Sequence, residues 1–144
     1  MSKKKINIAV IGATGYTGLD LVLFLSKHPK IKINYLCATK NLGKNISFFD
    51  KRIKKKLPKI SSIKFIDWSN LDLVFLSLPN GEAQKLIKKI FNKYKNIRFI
   101  DLSADFRIKN SNKYKKIYKT IHKAPYLIKD SIYAISELAY KKIS

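Results

Sequence analysis

Between Ile6 and Leu25 the chain sets two apolar runs on either side of three glycines spaced three residues apart. The first run, Ile6 to Ile11 (INIAVI), is rich in β-branched residues and stops at Gly12, which predicts a short buried strand. The second, Leu19 to Leu25, predicts a helix. Strand, glycine turn and helix form the context in which a dinucleotide fingerprint has physical meaning. Gly12 permits the tight turn, Gly15 lets the backbone approach a pyrophosphate, and Gly18 lets the helix lie close to the strand. The helix N-terminus then offers free N–H groups and the positive end of its dipole to phosphate. The spacing is G-x-x-G-x-x-G, one residue longer than the usual G-x-G-x-x-G. A glycine-rich turn with no ligand is the alternative, and the flanking strand and helix favour a nucleotide.

The remaining 124 residues are expected to build on that unit, so composition matters here. The chain has 144 residues, 46% of them hydrophobic, with eight Phe and eight Tyr, enough for a packed core. No apolar run approaches the roughly 20 residues that span a bilayer. The N-terminal MSKKK lacks the apolar region of a secretory signal, so the expected location is the cytoplasm and no membrane partner is expected. A single cysteine, Cys37, excludes an intrachain disulfide. The net charge of +22 would suggest nucleic acid. Yet only three of the 31 basic residues are arginine, and the lysines are scattered along nearly the whole chain. The densest group, Lys51 to Lys59 (KRIKKKLPK), has no interleaved aromatics on which bases could stack. A solvated lysine surface, without a specific nucleic-acid partner, is the reading adopted.

His28 and Pro29 should end the first helix. Ile31 to Cys37 reads as the second strand. An NAD-binding unit carries an acidic residue near the end of this strand to hold the ribose 2′-hydroxyl. Here the chain reads Cys37-Ala38-Thr39-Lys40, and a hydroxyl with an ammonium suits a 2′-phosphate, so NADP is favoured over NAD. Lys40 as one more surface lysine is the competing reading. Cys37 ends an apolar strand, as a small buried hydrophobe does, although Lys40 could lower its thiol pKa. Asn41 to Ser62 is a polar connection with a short helix expected around Ser47 to Lys55, and Ile63 to Ile66 a short third strand. Leu71 to Leu78 reads as a buried strand ending at Pro79-Asn80-Gly81. Ala83, Leu86, Ile87, Ile90, Phe91 and Tyr94 then follow helical spacing, and Ile97 to Leu102 forms the next strand. Such alternation predicts an α/β, Rossmann-type doubly wound parallel sheet with helices on both faces. The loops after Ile11, Leu78 and Leu102 should open on the ligand-binding edge.

Asp101 to Arg107 (DLSADFR) then places two carboxylates, a hydroxyl and a guanidinium on that edge. Arg107 stands out in a lysine-rich chain, because its planar fork grips phosphate or carboxylate as an ammonium cannot. An ion pair with Asp105 or Asp101 is the structural alternative. With GATGYTG at Gly12 to Gly18, FLSLPNGEA at Phe75 to Ala83, DLSADFR, the isolated His122 and YAISEL at Tyr133 to Leu138, the chain resembles the N-acetyl-gamma-glutamyl-phosphate reductases of arginine biosynthesis. The family commonly has His where Asn80 stands, and Tyr-Gly-Leu-(Pro/Thr)-Glu where this chain has Tyr133 to Glu137. The glycine motif alone also fits aspartate-semialdehyde dehydrogenases, and a non-catalytic NADP-binding sensor is a third reading.

The resemblance implies NADPH-dependent reduction of an acyl phosphate to a semialdehyde through a cysteine thioester. It implies that Gly12, Thr14, Gly15, Tyr16, Thr17 and Gly18 cradle the pyrophosphate; Thr39 and Lys40, read above from the end of the second strand, are the candidates at the 2′-phosphate. Pro79, Asn80 and Gly81 would border the nicotinamide half, with Ser103, Arg107 and Glu137 at the substrate end. No metal is implied. The family's nucleophile lies in an Asn-Pro-Gly-Cys segment that would fall beyond Ser144, so residues 1–144 are expected to form the NADP-binding domain of a longer two-domain enzyme, with no catalytic residue inside the chain. Homo-oligomerisation through the second domain is expected as well.

Overall fold

The computed structural model describes residues 4–134. Five strands, β1 (Ile6–Ile11), β2 (Ile31–Cys37), β3 (Ile60–Ser61), β4 (Leu73–Leu76) and β5 (Arg98–Asp101), form one sheet in the order β3-β2-β1-β4-β5. Every pairing is parallel. The chain winds outward from β1 through β2 to β3, then returns to the other side of β1 for β4 and β5. That reversal puts the switch point between β1 and β4, where doubly wound sheets bind ligands.

Central position dictates composition in β1, where Ile8, Ala9 and Val10 are fully buried. Ile8 and Val10 point to one face and pack with Val22, Leu23 and Leu25 of α1 (Tyr16–Lys27). Ala9 and Ile11 point to the other and pack with Ala83 and Ile87 of α2 (Glu82–Ile90). Both faces are thus covered, as the near-continuous apolar strands require. Each buried aliphatic side chain stabilises the fold by about 1.5–3 kcal/mol. That exceeds what helix propensity contributes per residue, so packing is what holds α1, whose N-terminus no side chain caps.

The segment after β2 departs from expectation. Instead of a helix over Ser47 to Lys55, only a 3₁₀ turn at Ile46–Phe48 forms. Asp50 then accepts from the Arg52 backbone N–H and guanidinium, and Arg52 reaches Asp20 on α1 at 2.8 Å. This latch holds Ile46 and Ile53 in the core. The third strand is Ile60–Ser61, beside Leu36 and Cys37, not Ile63 to Ile66. Ser62 stops it by accepting from the Lys64 N–H, and a 3₁₀ turn follows at Ile63–Phe65. Ile63 and Ile66 are three apart, the period that puts side chains of such a turn on one side; both join the α2 face. A further helix, α3 (Ser111–Tyr118), had no counterpart in the sequence reading. Asn110 caps it by accepting from the Lys113 N–H, and Tyr114 is its buried residue.

Candidate functional site

The loops after β1, β4 and β5 meet on the carboxyl edge, as expected. Gly12 and Ala13 donate to the Cys37 carbonyl at 2.9 and 3.0 Å, Ser77 donates to the Ile11 carbonyl, and Leu102 to that of Leu76. Of the three fingerprint glycines, the fold itself requires two, Gly12 for the tight turn and Gly18 for the close helix, as expected. Gly12 has φ 84°, and a Cβ there would lie 1.9 Å from the Ser77 carbonyl oxygen. A Cβ on Gly18 would lie 2.1 Å from the Gly12 carbonyl oxygen, so α1 can lie against the turn only without one. Gly15 differs. Its φ of −75° suits any residue, and a Cβ would meet only the Gly12 carbonyl oxygen at an ordinary 3.5 Å. Nothing among the described residues needs a glycine there, whereas a pyrophosphate resting on the backbone would. No side chain caps the N-terminus of α1, and its first turn has no acidic residue. Its early N–H groups are therefore left for an anion. Tyr16 and Thr17 are exposed beside them and Thr14 is half-buried.

The other helix on this edge begins very differently. Gly81, at φ 90°, precedes α2, and the Asp105 carboxylate takes its N–H at 2.7 Å and that of Gln84 at 3.0 Å. Glu82 adds a carboxylate to the first turn. The donors that α1 leaves open are closed in α2 by a fully buried acid from the loop after β5. Around Asp105 a polar cluster has formed. Gln84 Nε2 donates to the Tyr114 hydroxyl at 3.0 Å, and Gln84 Oε1 accepts from the Lys123 N–H. Tyr114 Oη lies 3.2 Å from both Asp105 Oδ1 and Asn80 Oδ1. Burial and the Asp105 charge push the phenol upward, so it keeps its proton. His122 stacks edge-on to Tyr114 and Phe106. Its Nε2 meets the Asp105 carbonyl at 2.9 Å, and its Nδ1 accepts from the Ala124 N–H. A carbonyl cannot donate, so the proton sits on Nε2. Burial pulls the imidazole pKa below its ordinary value.

In the DLSADFR loop the alternative of an ion pair between Arg107 and Asp105 or Asp101 is not found among the described residues. Arg107 donates instead to the Ser103 carbonyl at 3.0 Å and to the Leu102 carbonyl at 3.4 Å. Asp101 accepts from both the Ser103 N–H and hydroxyl, and that hydroxyl accepts from the Asp105 N–H. Burial raises the Asp101 pKa despite these bonds. Ser103 is therefore the pin of the loop, and Arg107 lies exposed over it. Pro79 and Asn80 are exposed on the neighbouring turn. Thr39 and Lys40 are exposed just past β2, next to the Cys37 carbonyl that anchors the glycine turn. Glu137 lies outside the described residues. Cys37 is 1% exposed, the small buried hydrophobe expected, and burial pushes its thiol up where Lys40 could have lowered it. Sequence reasoning missed Gln84 and Tyr114; the Asn110 cap followed by Tyr114 and Tyr118 at i, i+4 was the available signal.

A parallel doubly wound sheet, with an open helix N-terminus behind a glycine turn at its switch point, defines a nucleotide-binding domain. Residues 7–144 match the family described as semialdehyde dehydrogenase, NAD binding domain, and the chain belongs to that family. It is 45% identical over 141 residues to N-acetyl-gamma-glutamyl-phosphate reductase of Ehrlichia ruminantium (strain Gardel), covering 96% of this chain and 40% of that protein. To a probable chloroplastic N-acetyl-gamma-glutamyl-phosphate reductase of Oryza sativa subsp. japonica it is 36% identical, covering 99% of the chain and 34% of that protein. The chain thus spans less than half the length of the curated relatives it matches. Aspartate semialdehyde dehydrogenase from Candida albicans, solved with NADP, shares the fold with a TM-score of 0.57 at 23% identity, covering 75% of this chain and 32% of that one. No helix among the described residues is long and apolar enough to cross a membrane.

Proposed function

We propose that residues 1–144 form the NADP-binding domain of an N-acetyl-gamma-glutamyl-phosphate reductase. The observation that carries this reading is the uncapped N-terminus of α1 behind Gly15, a glycine that neither backbone conformation nor packing requires. Similarity to the reductases supplies the substrate class. Gly12, Thr14, Gly15, Tyr16, Thr17 and Gly18 hold the pyrophosphate, and Thr39 with Lys40 receives the 2′-phosphate. Pro79, Asn80 and Gly81 border the nicotinamide. Arg107, presented by the Ser103-pinned loop, grips the anionic substrate, and Glu137 joins it from outside the described residues. The bound dinucleotide supplies hydride. In the longer protein a cysteine outside this chain attacks the acyl phosphate and expels inorganic phosphate; reduction of the thioester and collapse of the hemithioacetal then give the semialdehyde and restore the thiolate. Cys37 takes no part. It is buried in the sheet, and a nucleophile must come within about 3–3.5 Å of the reacting carbon. The assembly is a cytoplasmic homo-oligomer held by the second domain.

Calorimetry on the chain should show tighter binding of NADP than of NAD. Lys40→Glu should lower that preference about fivefold or more, since an exposed charge pair is worth up to about 1 kcal/mol and its reversal adds repulsion. Tighter NAD binding by the unmodified chain would remove the 2′-phosphate site. In the longer protein, Cys37→Ser should leave N-acetyl-glutamyl-phosphate-dependent oxidation of NADPH nearly intact. Loss of turnover with the fold preserved would return Cys37 to the chemistry.

A further inference from the structure

Asn80 is the exposed end of an otherwise buried chain of hydrogen bonds, and the order of donors along that chain is determined. Gln84 Oε1 accepts from the Lys123 N–H, so Nε2 is the end that faces Tyr114 and donates to its hydroxyl. The hydroxyl has one proton to give, with Asp105 Oδ1 and the Asn80 amide both 3.2 Å away. A carboxylate is the stronger acceptor. Once the proton points to Asp105, the tyrosine oxygen still offers a lone pair to Asn80. Two oxygens facing each other without a proton repel, whereas a half-turn of the Asn80 amide presents an N–H to that lone pair. Tyr114 then donates to Asp105 and accepts from Gln84 and Asn80, with the Thr120 side chain also beside its hydroxyl. Tyr114, Gln84 and Asp105 are at most 1% exposed, so this anchor is dry and rigid. That half-turn, which exchanges the Oδ1 placed toward Tyr114 for Nδ2, leaves the carbonyl end of Asn80 facing outward on the carboxyl edge.

The ligand half that meets this turn follows from the fold. A dinucleotide lies across the switch point with its adenosine half over β2, so its other half lies over β4, whose end leads into Asn80. An anion is excluded there, since Asp105 closes the α2 N-terminus and Glu82 stands in its first turn. We propose that Asn80, oriented by Tyr114, accepts a hydrogen bond from the carboxamide NH₂ of the nicotinamide ring; this deepens, and rests on, the NADP reading. Tyr114 is a positioning residue, acting through Asn80.

Three probes separate this role from a structural one: NADP, its 3-acetylpyridine analogue, in which a methyl replaces the carboxamide NH₂, and 2′-phospho-ADP-ribose, which has no ring. Calorimetry on the full chain should give about a three- to tenfold preference for NADP over the analogue, the worth of one hydrogen bond. Asn80→Ala and Tyr114→Phe should each abolish that preference while leaving affinity for 2′-phospho-ADP-ribose unchanged. A preference that survives in Asn80→Ala overturns the proposal. So does equal weakening of all three probes, the mark of general damage. If Tyr114→Phe fails to fold, the exposed Asn80→Ala decides alone. An unmodified chain that binds NADP and 2′-phospho-ADP-ribose without discriminating against the analogue overturns this inference only, and one that binds none of the probes overturns the cofactor reading with it.

Discussion

Two glycine turns open onto the same sheet edge, and each leads into a helix, yet they have opposite electrostatic ends. The helix α1 has no capping side chain and no acidic residue in its first turn. The turn before α2 is closed by the Asp105 carboxylate on two backbone N–H groups, with Glu82 beside it. A helix N-terminus attracts anions wherever it is left open. A domain that must seat a single pyrophosphate gains by closing the competing end, and Asp105 does so from the next loop along the sheet. The same acid ties the β4 and β5 loops together, so closure of the α2 N-terminus and rigidity of this edge share one residue. The comparison teaches that a helix terminus is assigned its role by its neighbours, and by glycine only where the backbone demands it.

The largest effect should come from removing the space on which the first turn depends. Gly12→Ala puts a methyl 1.9 Å from a backbone oxygen at a positive φ, and Gly18→Ala puts one 2.1 Å from another. Backbone on both sides leaves no flexible side chain to yield, so a loss above about 4 kcal/mol is expected for each. Urea unfolding monitored by circular dichroism would show it. Native-like midpoints for either variant would mean that the turn is not built as described. Asp105→Asn comes next, at about 2–3 kcal/mol, because an amide NH₂ cannot accept from a second N–H and leaves a buried donor unpaired. The loss should exceed that of Glu82→Gln, whose side chain is exposed.

Gly15→Ala sharpens the contrast by separating ligand from fold. Its Cβ has room, so stability should move by less than about 1 kcal/mol, the sum of a poorer cap and a less flexible unfolded chain. NADP affinity should nevertheless fall tenfold or more, since the methyl would occupy the surface on which the pyrophosphate rests. Equal affinities with equal melting curves would assign Gly15 to helix capping and nothing else.

These differences show which features a sequence can carry. The strand Ile6 to Ile11 and the helix after it were legible because local periodicity and burial agree there. The turn role of Gly12 and the close-packing role of Gly18 were foreseen; the structure adds that the fold makes no such demand at Gly15. Ile63 to Ile66 was misread as a strand because four residues cannot distinguish strand alternation from the three-residue repeat of a 3₁₀ turn, and the Ser62 cap decides between them. Asp105 was visible as a carboxylate on the ligand edge. Its partners Gly81, Gln84 and Tyr114 were not, since a buried polar cluster drawn from four segments leaves no period in the chain. Arg107 does not take the alternative of an acid partner and ties down carbonyls, because Ser103 and the α2 N-terminus already occupy both acids.

The mildest test of the closed end uses pH. His122 braces the Asp105 backbone through Nε2–H while Nδ1 accepts from Ala124, so both ring nitrogens are committed with the imidazole neutral. Its folded pKa is lowered, chiefly by burial. A lowered value means that the unfolded chain binds the proton more readily. The stability it contributes is therefore fully present above about pH 6.5, the ordinary histidine value, and is lost as pH falls through the folded pKa. Asp101 runs the other way, because its pKa is raised: its contribution is present below about pH 3.8 and is lost as pH rises through the folded value. The two run in opposite directions with pH, and His122→Gln should remove only the loss that sets in on acidification below about pH 6.5. A ring titration of His122 followed by NMR should give a midpoint below that of an unfolded histidine. A midpoint at or above the ordinary value would mean that the imidazole carries charge beside Asp105, and the closed end would then be an ion pair, not a neutral brace.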